Sequence, residues 1–125
     1  MTKALDGIRV IDMTHNQAGP ACAQILAWLG ADVIKLETPG TGDVARAQNN
    51  DELFFLSFNA NKRSLTLNLK SDEGKDLFRK LLAKSDVFLE NFAPGAVARM
   101  GFDFEALQKI NPRLIYATIK GFGTS

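Results

Sequence analysis

Ile8-Arg9-Val10-Ile11-Asp12-Met13, Thr14-His15-Asn16-Gln17-Ala18-Gly19-Pro20, Ala21-Cys22-Ala23-Gln24-Ile25-Leu26-Ala27-Trp28-Leu29-Gly30, then Asp32-Val33-Ile34-Lys35-Leu36-Glu37: this run decides the fold. It reads as strand, tight turn, apolar helix, glycine stop and second strand. A helix joining two strands makes them parallel neighbours in a βαβ unit. Ligands of such units gather at the carboxyl ends of the strands, which places the His15–Pro20 turn at a candidate site. His15 and Gln17 carry hydrogen-bonding groups, Gly19 permits close backbone approach, and Pro20 sits near the first helical position, where a missing N–H costs nothing.

The remainder repeats the alternation. Thr38–Asp43 is rich in turn formers, and residues 44–51 are polar and weakly patterned, which predicts irregular backbone. Leu53–Phe58 suits a strand or a short buried helix equally. Ser64–Leu69 alternates apolar and polar residues and predicts a strand. Ser71 reads as an N-cap for a helix to about Lys84, with Asp72 and Glu73 in its first turn and Leu77, Phe78, Leu81 and Leu82 on one face. Asp86–Glu90 is a fourth strand, followed by the loop Asn91–Gly95 and a short helix through Ala96 to Met100. Asp103 caps a helix carrying Phe104, Leu107 and Ile110, which Asn111-Pro112 ends. Leu114–Lys120 reads as a buried strand. Five strands alternating with helices predict an α/β fold: an open, mostly parallel, Rossmann-like sheet with helices on both faces. A parallel strand so near Ser125 further predicts that the sheet is incomplete at the C-terminus.

Composition narrows the classes. In 125 residues, 46% are hydrophobic and 23% charged, the balance of a folded globular chain. A net charge of +1 gives no global field for nucleic acid, and a single cysteine, Cys22, excludes an intrachain disulfide framework and a multi-cysteine metal site. No signal core or membrane-length apolar run occurs, so the expectation is a cytoplasmic protein with neither nucleic-acid nor membrane partners. Glu37 stands near where a ribose-binding acid would fall, but the first turn holds one glycine rather than G-x-G-x-x-G, and no P-loop is present. The parts that cradle a pyrophosphate are therefore missing. Parallel strand ends put Thr14–Ala18, Thr38–Gly40, Lys70, Asn91–Ala93 and Lys120 on one rim. Lys62, Arg63, Lys70, Arg99 and Lys120 are cations suited to phosphates. Gln17, Asn68 and Asn91 are amides suited to a peptide-like arm, and Phe92 is an aromatic able to flank a purine.

Several segments in order carry a resemblance to the class III CoA-transferases, most closely their formyl-CoA:oxalate branch. They are Leu5–Asp12, the Thr14–Pro20 turn, Leu29–Glu37, Asn61-Lys62-Arg63-Ser64, Glu90-Asn91-Phe92-x-Pro94-Gly95, Met100-Gly101-Phe102 and Asn111–Ile115. The resemblance implies that residues 1–125 are the N-terminal, CoA-binding part of a CoA-transferase large domain. It implies CoA transfer from an acyl-CoA to a small carboxylic acid, with CoA as substrate and no tightly bound cofactor. In such enzymes the turn matching Gln17 and Ala18 lines the thioester end. The segments matching Leu67, Asn68, Leu69 and Lys70 and matching Asn91, Phe92 and Ala93 hold the nucleotide and pantetheine, and Arg99 matches a phosphate contact. Thr38 stands where close relatives carry a basic residue, and Ala93 replaces a glycine found in some.

The family's nucleophile is an aspartate that attacks the acyl-CoA carbonyl. By this resemblance it falls beyond Ser125, so no catalytic residue is assigned here and the isolated chain is expected to be inactive. Asp12, Asp32, Asp43 and Glu90 are read as structural carboxylates. His15 either contacts substrate or steadies its turn; no metal site is expected. Cys22 is a packed small hydrophobe, and Trp28 is core or subunit interface, since relatives form interlocked homodimers. Two readings compete with the transferase: an α-methylacyl-CoA racemase-like fragment and a non-catalytic CoA- or nucleotide-binding module.

Overall fold

The computed structural model describes residues 2–46 and 52–122. Five parallel strands form one sheet: β1 (Arg9–Met13), β2 (Asp32–Glu37), β3 (Arg63–Thr66), β4 (Val87–Glu90) and β5 (Ile115–Thr118), in the order β3-β2-β1-β4-β5. The helices are α1 (Ala18–Trp28), α2 (Glu52–Asn59), α3 (Asp72–Leu82), α4 (Ala96–Arg99) and α5 (Phe104–Ile110).

Alternation along the inner strands sends side chains to two cores. Ile11, Met13, Ile34, Leu36 and Phe88 pack with Phe78, Leu82, Val97, Phe102 and Leu107 from the α3–α5 side. Val10, Val33 and Leu89 pack with Ala23 and Ala27 of α1. A sheet covered on both faces explains why β1 and β2 read as nearly continuous apolar runs. Three aromatic rings anchor the larger core, with Phe78 meeting Phe88 and Phe102 edge-on at 5.5 and 4.7 Å between centroids.

Helix boundaries follow local chemistry. Ser71 caps α3 by accepting from the Gly74 N–H, and Asp103 caps α5 by accepting from the Ala106 N–H. α1 begins at Ala18, so Pro20 is its third residue, still in the turn whose N–H groups lack intrahelical partners.

Several expectations are corrected. Val44–Arg46 is a 3-10 turn rather than irregular chain; the rest of that stretch, 47–51, lies outside the described residues. The ambiguous Leu53–Phe58 segment is helical, within α2. β3 stops at Thr66, before Leu67–Leu69, and both it and β5 are edge strands. β5 is therefore not buried: Ile115 is 63% exposed, because an apolar run does not reveal whether a neighbour covers it. Leu77 and Phe104 point outward from helices whose other apolar residues face the core. No helix among the described residues is long and apolar enough to cross a membrane.

Candidate functional site

Strand order reverses between β1 and β4, and there the two carboxyl ends are tied together. The His15 N–H donates to Asn91 Oδ1, and Asn91 Nδ2 donates to the His15 carbonyl, both at 2.8 Å. The His15 and Phe92 rings meet edge-on with centroids 4.9 Å apart. A reversal of strand order opens a crevice outside the strand ends. Here it is an open groove lined by Met13, His15, Leu36, Thr38, Leu67–Lys70, Phe92 and Met100 among others. A shallower hollow beside it shares His15, Thr38 and Phe92 and adds Asn91.

On the α1 side of the sheet, opposite the face of Met13 and Leu36, lies a buried charge network. Lys35 Nζ donates to Asp43 Oδ2 at 2.6 Å and to the Thr14 carbonyl. Lys62 Nζ donates to Asp12 Oδ2, Asn59 Oδ1 and the Pro20 carbonyl at 2.8–2.9 Å. Asp12 also accepts from the Thr14 N–H, and Asp43 Oδ1 accepts from the N–H groups of Asn16 and Ala45. Two lysines and two aspartates thus balance in charge, which burial requires. Burial opposes ionisation of Asp43, but the His15 imidazole, the two N–H groups and Lys35 outweigh it and hold the carboxyl well below the usual carboxylate range. Burial pushes the Lys62 ammonium below its ordinary value, although Asp12 works the other way. The network pins the turn between β1 and α1, where Asn16 takes the left-handed region at φ 69°.

Of the sequence-nominated residues, Leu67, Asn68, Leu69, Lys70 and Phe92 line the groove, and Asn91, which lines the adjoining hollow, ties the strand ends beside it. Gln17, Ala18 and Ala93 are exposed beside it without lining it, and Arg99 ends α4 one residue before Met100. Neither the Lys70 ammonium nor the Arg99 guanidinium is engaged in an ion pair among the described residues.

The other three cations nominated for phosphates are occupied. Lys62 is spent on Asp12, Arg63 binds Asp32 from the amino end of β3, and Lys120 binds Glu90. Glu37, which stood near a ribose-binding position, instead accepts from Arg46, the Asp43 N–H and Ser64. Gly19 approaches no ligand space: a Cβ there would fall 2.3 Å from the Thr14 Cβ, so its smallness serves turn packing. Met13, Leu36 and Met100 are groove residues that sequence reasoning missed, since nothing in a core methionine or leucine marks it as also reaching a strand end. Among the described residues no group of three or more His, Cys, Asp and Glu could hold a metal ion.

The model of CoA-transferase family III matches residues 5–125. A formyl-CoA:oxalate CoA-transferase of Streptomyces avermitilis is 58% identical over 98% of this chain and 31% of its own length. One from Afipia carboxidovorans is 56% identical over 98% of this chain and 30% of its own. The crystal structure of a CAIB/BAIF family protein from Brucella suis superposes with a TM-score of 0.93 at 40% identity, covering 100% of this chain and 35% of that one. A hypothetical protein from Mycobacterium tuberculosis gives 0.91 at 42%, covering 97% and 34%. The chain thus spans about a third of the length of these relatives. Sheet order, the groove at the strand reversal and a match along nearly every residue agree: the chain belongs to CoA-transferase family III.

Proposed function

We propose that residues 1–125 form the N-terminal, CoA-binding part of a CoA-transferase large domain that moves CoA from an acyl-CoA to a small carboxylic acid, of the formyl-CoA:oxalate type. One observation carries this reading: the groove at the strand reversal is lined by Leu67–Lys70 and Phe92, the segments nominated for CoA from the sequence. Its apolar wall of Met13, Leu36, Leu67 and Met100 suits a pantetheine arm, and Lys70 and Arg99, in no ion pair among the described residues, suit phosphates. Gln17 and Ala18, beside the tied ends of β1 and β4, would flank the thioester, while Asn91 and Ala93 would join Phe92 in holding the nucleotide and pantetheine portions. CoA is a substrate here, with no tightly bound cofactor. The names of the relatives favour oxalate or a similar diacid as acceptor.

Four carboxylates on or near the strands are committed to structure. Asp12 and Asp43 hold lysines, Asp32 holds Arg9 and Arg63, and Glu90 accepts from Tyr116, Lys120 and the Phe92 N–H. By the family resemblance the nucleophilic aspartate lies outside these residues, and the longer form is a homodimer. Exposure of Ile25 and Trp28 at 53% and 60% on α1 supports a surface that further protein covers.

Titrating the folded chain with CoA by calorimetry, alongside an exchange assay with formyl-CoA and oxalate, tests the proposal. Expected are saturable binding, no exchange, and roughly tenfold weaker binding with a shallower salt dependence in a Lys70→Ala/Arg99→Ala double variant. A folded chain that does not bind CoA refutes it; exchange by the chain alone refutes the placement of the nucleophile.

A further inference from the structure

His15 is the chain's single histidine, and its two ring nitrogens have different surroundings. Its backbone is held by Asn91 through both N–H and C=O, and its ring is set against Phe92. Nδ1 is buried with no hydrogen-bond partner and lies 3.7 Å from Asp43 Oδ1. The ring keeps 19% of its side-chain surface exposed, and it lines the groove with Leu67–Lys70 and Phe92. Nδ1 is the one buried, unpartnered side-chain nitrogen or oxygen among the described residues, so Nε2, which makes no hydrogen bond there, is not buried.

Asp43 is fully buried and ionised, and a carboxylate oxygen beside Nδ1 favours the proton there. The other charges behind it balance: Lys35 binds Asp43 and lies 4.0 Å from Asp12, which pairs with Lys62. From β4 the ring faces the neutral Asn91 and Phe92, and Glu37 and Lys70 share the groove lining. A proton on Nδ1 leaves the Nε2 lone pair of the neutral ring as an acceptor aimed at the groove.

We infer that His15 is a ligand contact of the groove: Asp43 holds the proton on Nδ1, and Nε2 accepts a hydrogen bond from an amide N–H of the bound pantetheine arm. Asp43 is then a positioning residue, acting through His15. The inference rests on CoA being the groove's ligand. A His15 that only steadied its turn would ask nothing of Nε2.

Nitrogen-15 NMR of the imidazole in the full chain at about pH 8, where an ordinary histidine is neutral, reads this from one residue without ambiguity. Expected is a protonated Nδ1 and a bare Nε2 whose resonance moves to a hydrogen-bonded position as CoA saturates. In a second arm, His15→Gln reaches the Nε2 position and should bind CoA within about twofold of the parent. His15→Asn reaches only the Nδ1 position and should bind about fivefold more weakly. Saturable CoA binding with Nε2 unmoved, or equal losses in the two variants, overturns the inference and leaves the CoA reading standing. A folded chain with no saturable CoA binding removes both.

Discussion

Gly74, on the first turn of α3, shows how tightly the groove wall is built. A Cβ there would sit 1.9 Å from the Asn68 carbonyl oxygen, a backbone atom that cannot yield without moving the Leu67–Lys70 loop. Gly74→Ala should cost about 1–3 kcal/mol in chemical denaturation and weaken CoA binding with it, despite the better helix propensity of alanine. Unchanged stability would mean that the loop adapts freely. Tyr116, the single tyrosine, stands on β5 against Glu90 of β4. Burial first, and then the charge of Glu90, which accepts from its hydroxyl at 3.0 Å, raise its pKa well above the ordinary value near 10. Ultraviolet difference titration should show no phenolate on the folded chain near pH 10, and Glu90→Gln should bring ionisation back toward it.

Among the elements, the β1–α1 turn depends on a side chain from β2. Lys35 reaches the Thr14 carbonyl and Asp43, and Asp43 in turn holds the Asn16 N–H. Lys35→Met leaves Asp43 buried without its cation and should lose about 3–5 kcal/mol, read as a fall in denaturation midpoint. A loss under about 1 kcal/mol would show that the N–H donors alone suffice. This device is where sequence reasoning stops. The βαβ unit was legible because strands buried on both faces read as apolar runs between a turn and a glycine. Lys62 was not, since a lysine in a polar loop reads as solvated or phosphate-binding, and its partner Asp12 lies 50 positions away. Outward-facing Leu77 and Phe104 were equally hidden, because helical spacing marks a stripe without marking its edge. Lys70 and Phe92 were legible in place because parallelism puts the strand ends on one rim, whereas Leu67–Leu69, which alternation extends the strand to include, were marked only by the family resemblance.

Over the whole molecule, the carboxylates set the acid limit. Glu37, Asp32 and Asp43 all have folded pKa values below their ordinary ones, burial opposing and hydrogen-bonded cations or N–H groups prevailing. A depressed folded pKa contributes stability that is complete above the unfolded value and is lost as pH falls through the folded one. The denaturation midpoint should therefore hold from about pH 5 upward as far as these groups are concerned, and decline steadily below about pH 4. Asp43 should be the last of the three to protonate. A midpoint flat to about pH 2 would contradict the ion-paired arrangement.

The paired hydrogen bonds between Asn91 and His15 carry one more consequence. A side-chain amide is there a surrogate peptide group, adding one false rung to the ladder just past Met13 and Glu90, where the true β1–β4 pairing ends. The aperture between the two strand ends is thereby gauged by the reach of a single side chain. Lengthening that rung by one methylene, as in Asn91→Gln, would change the width of the mouth while the sheet below kept its register.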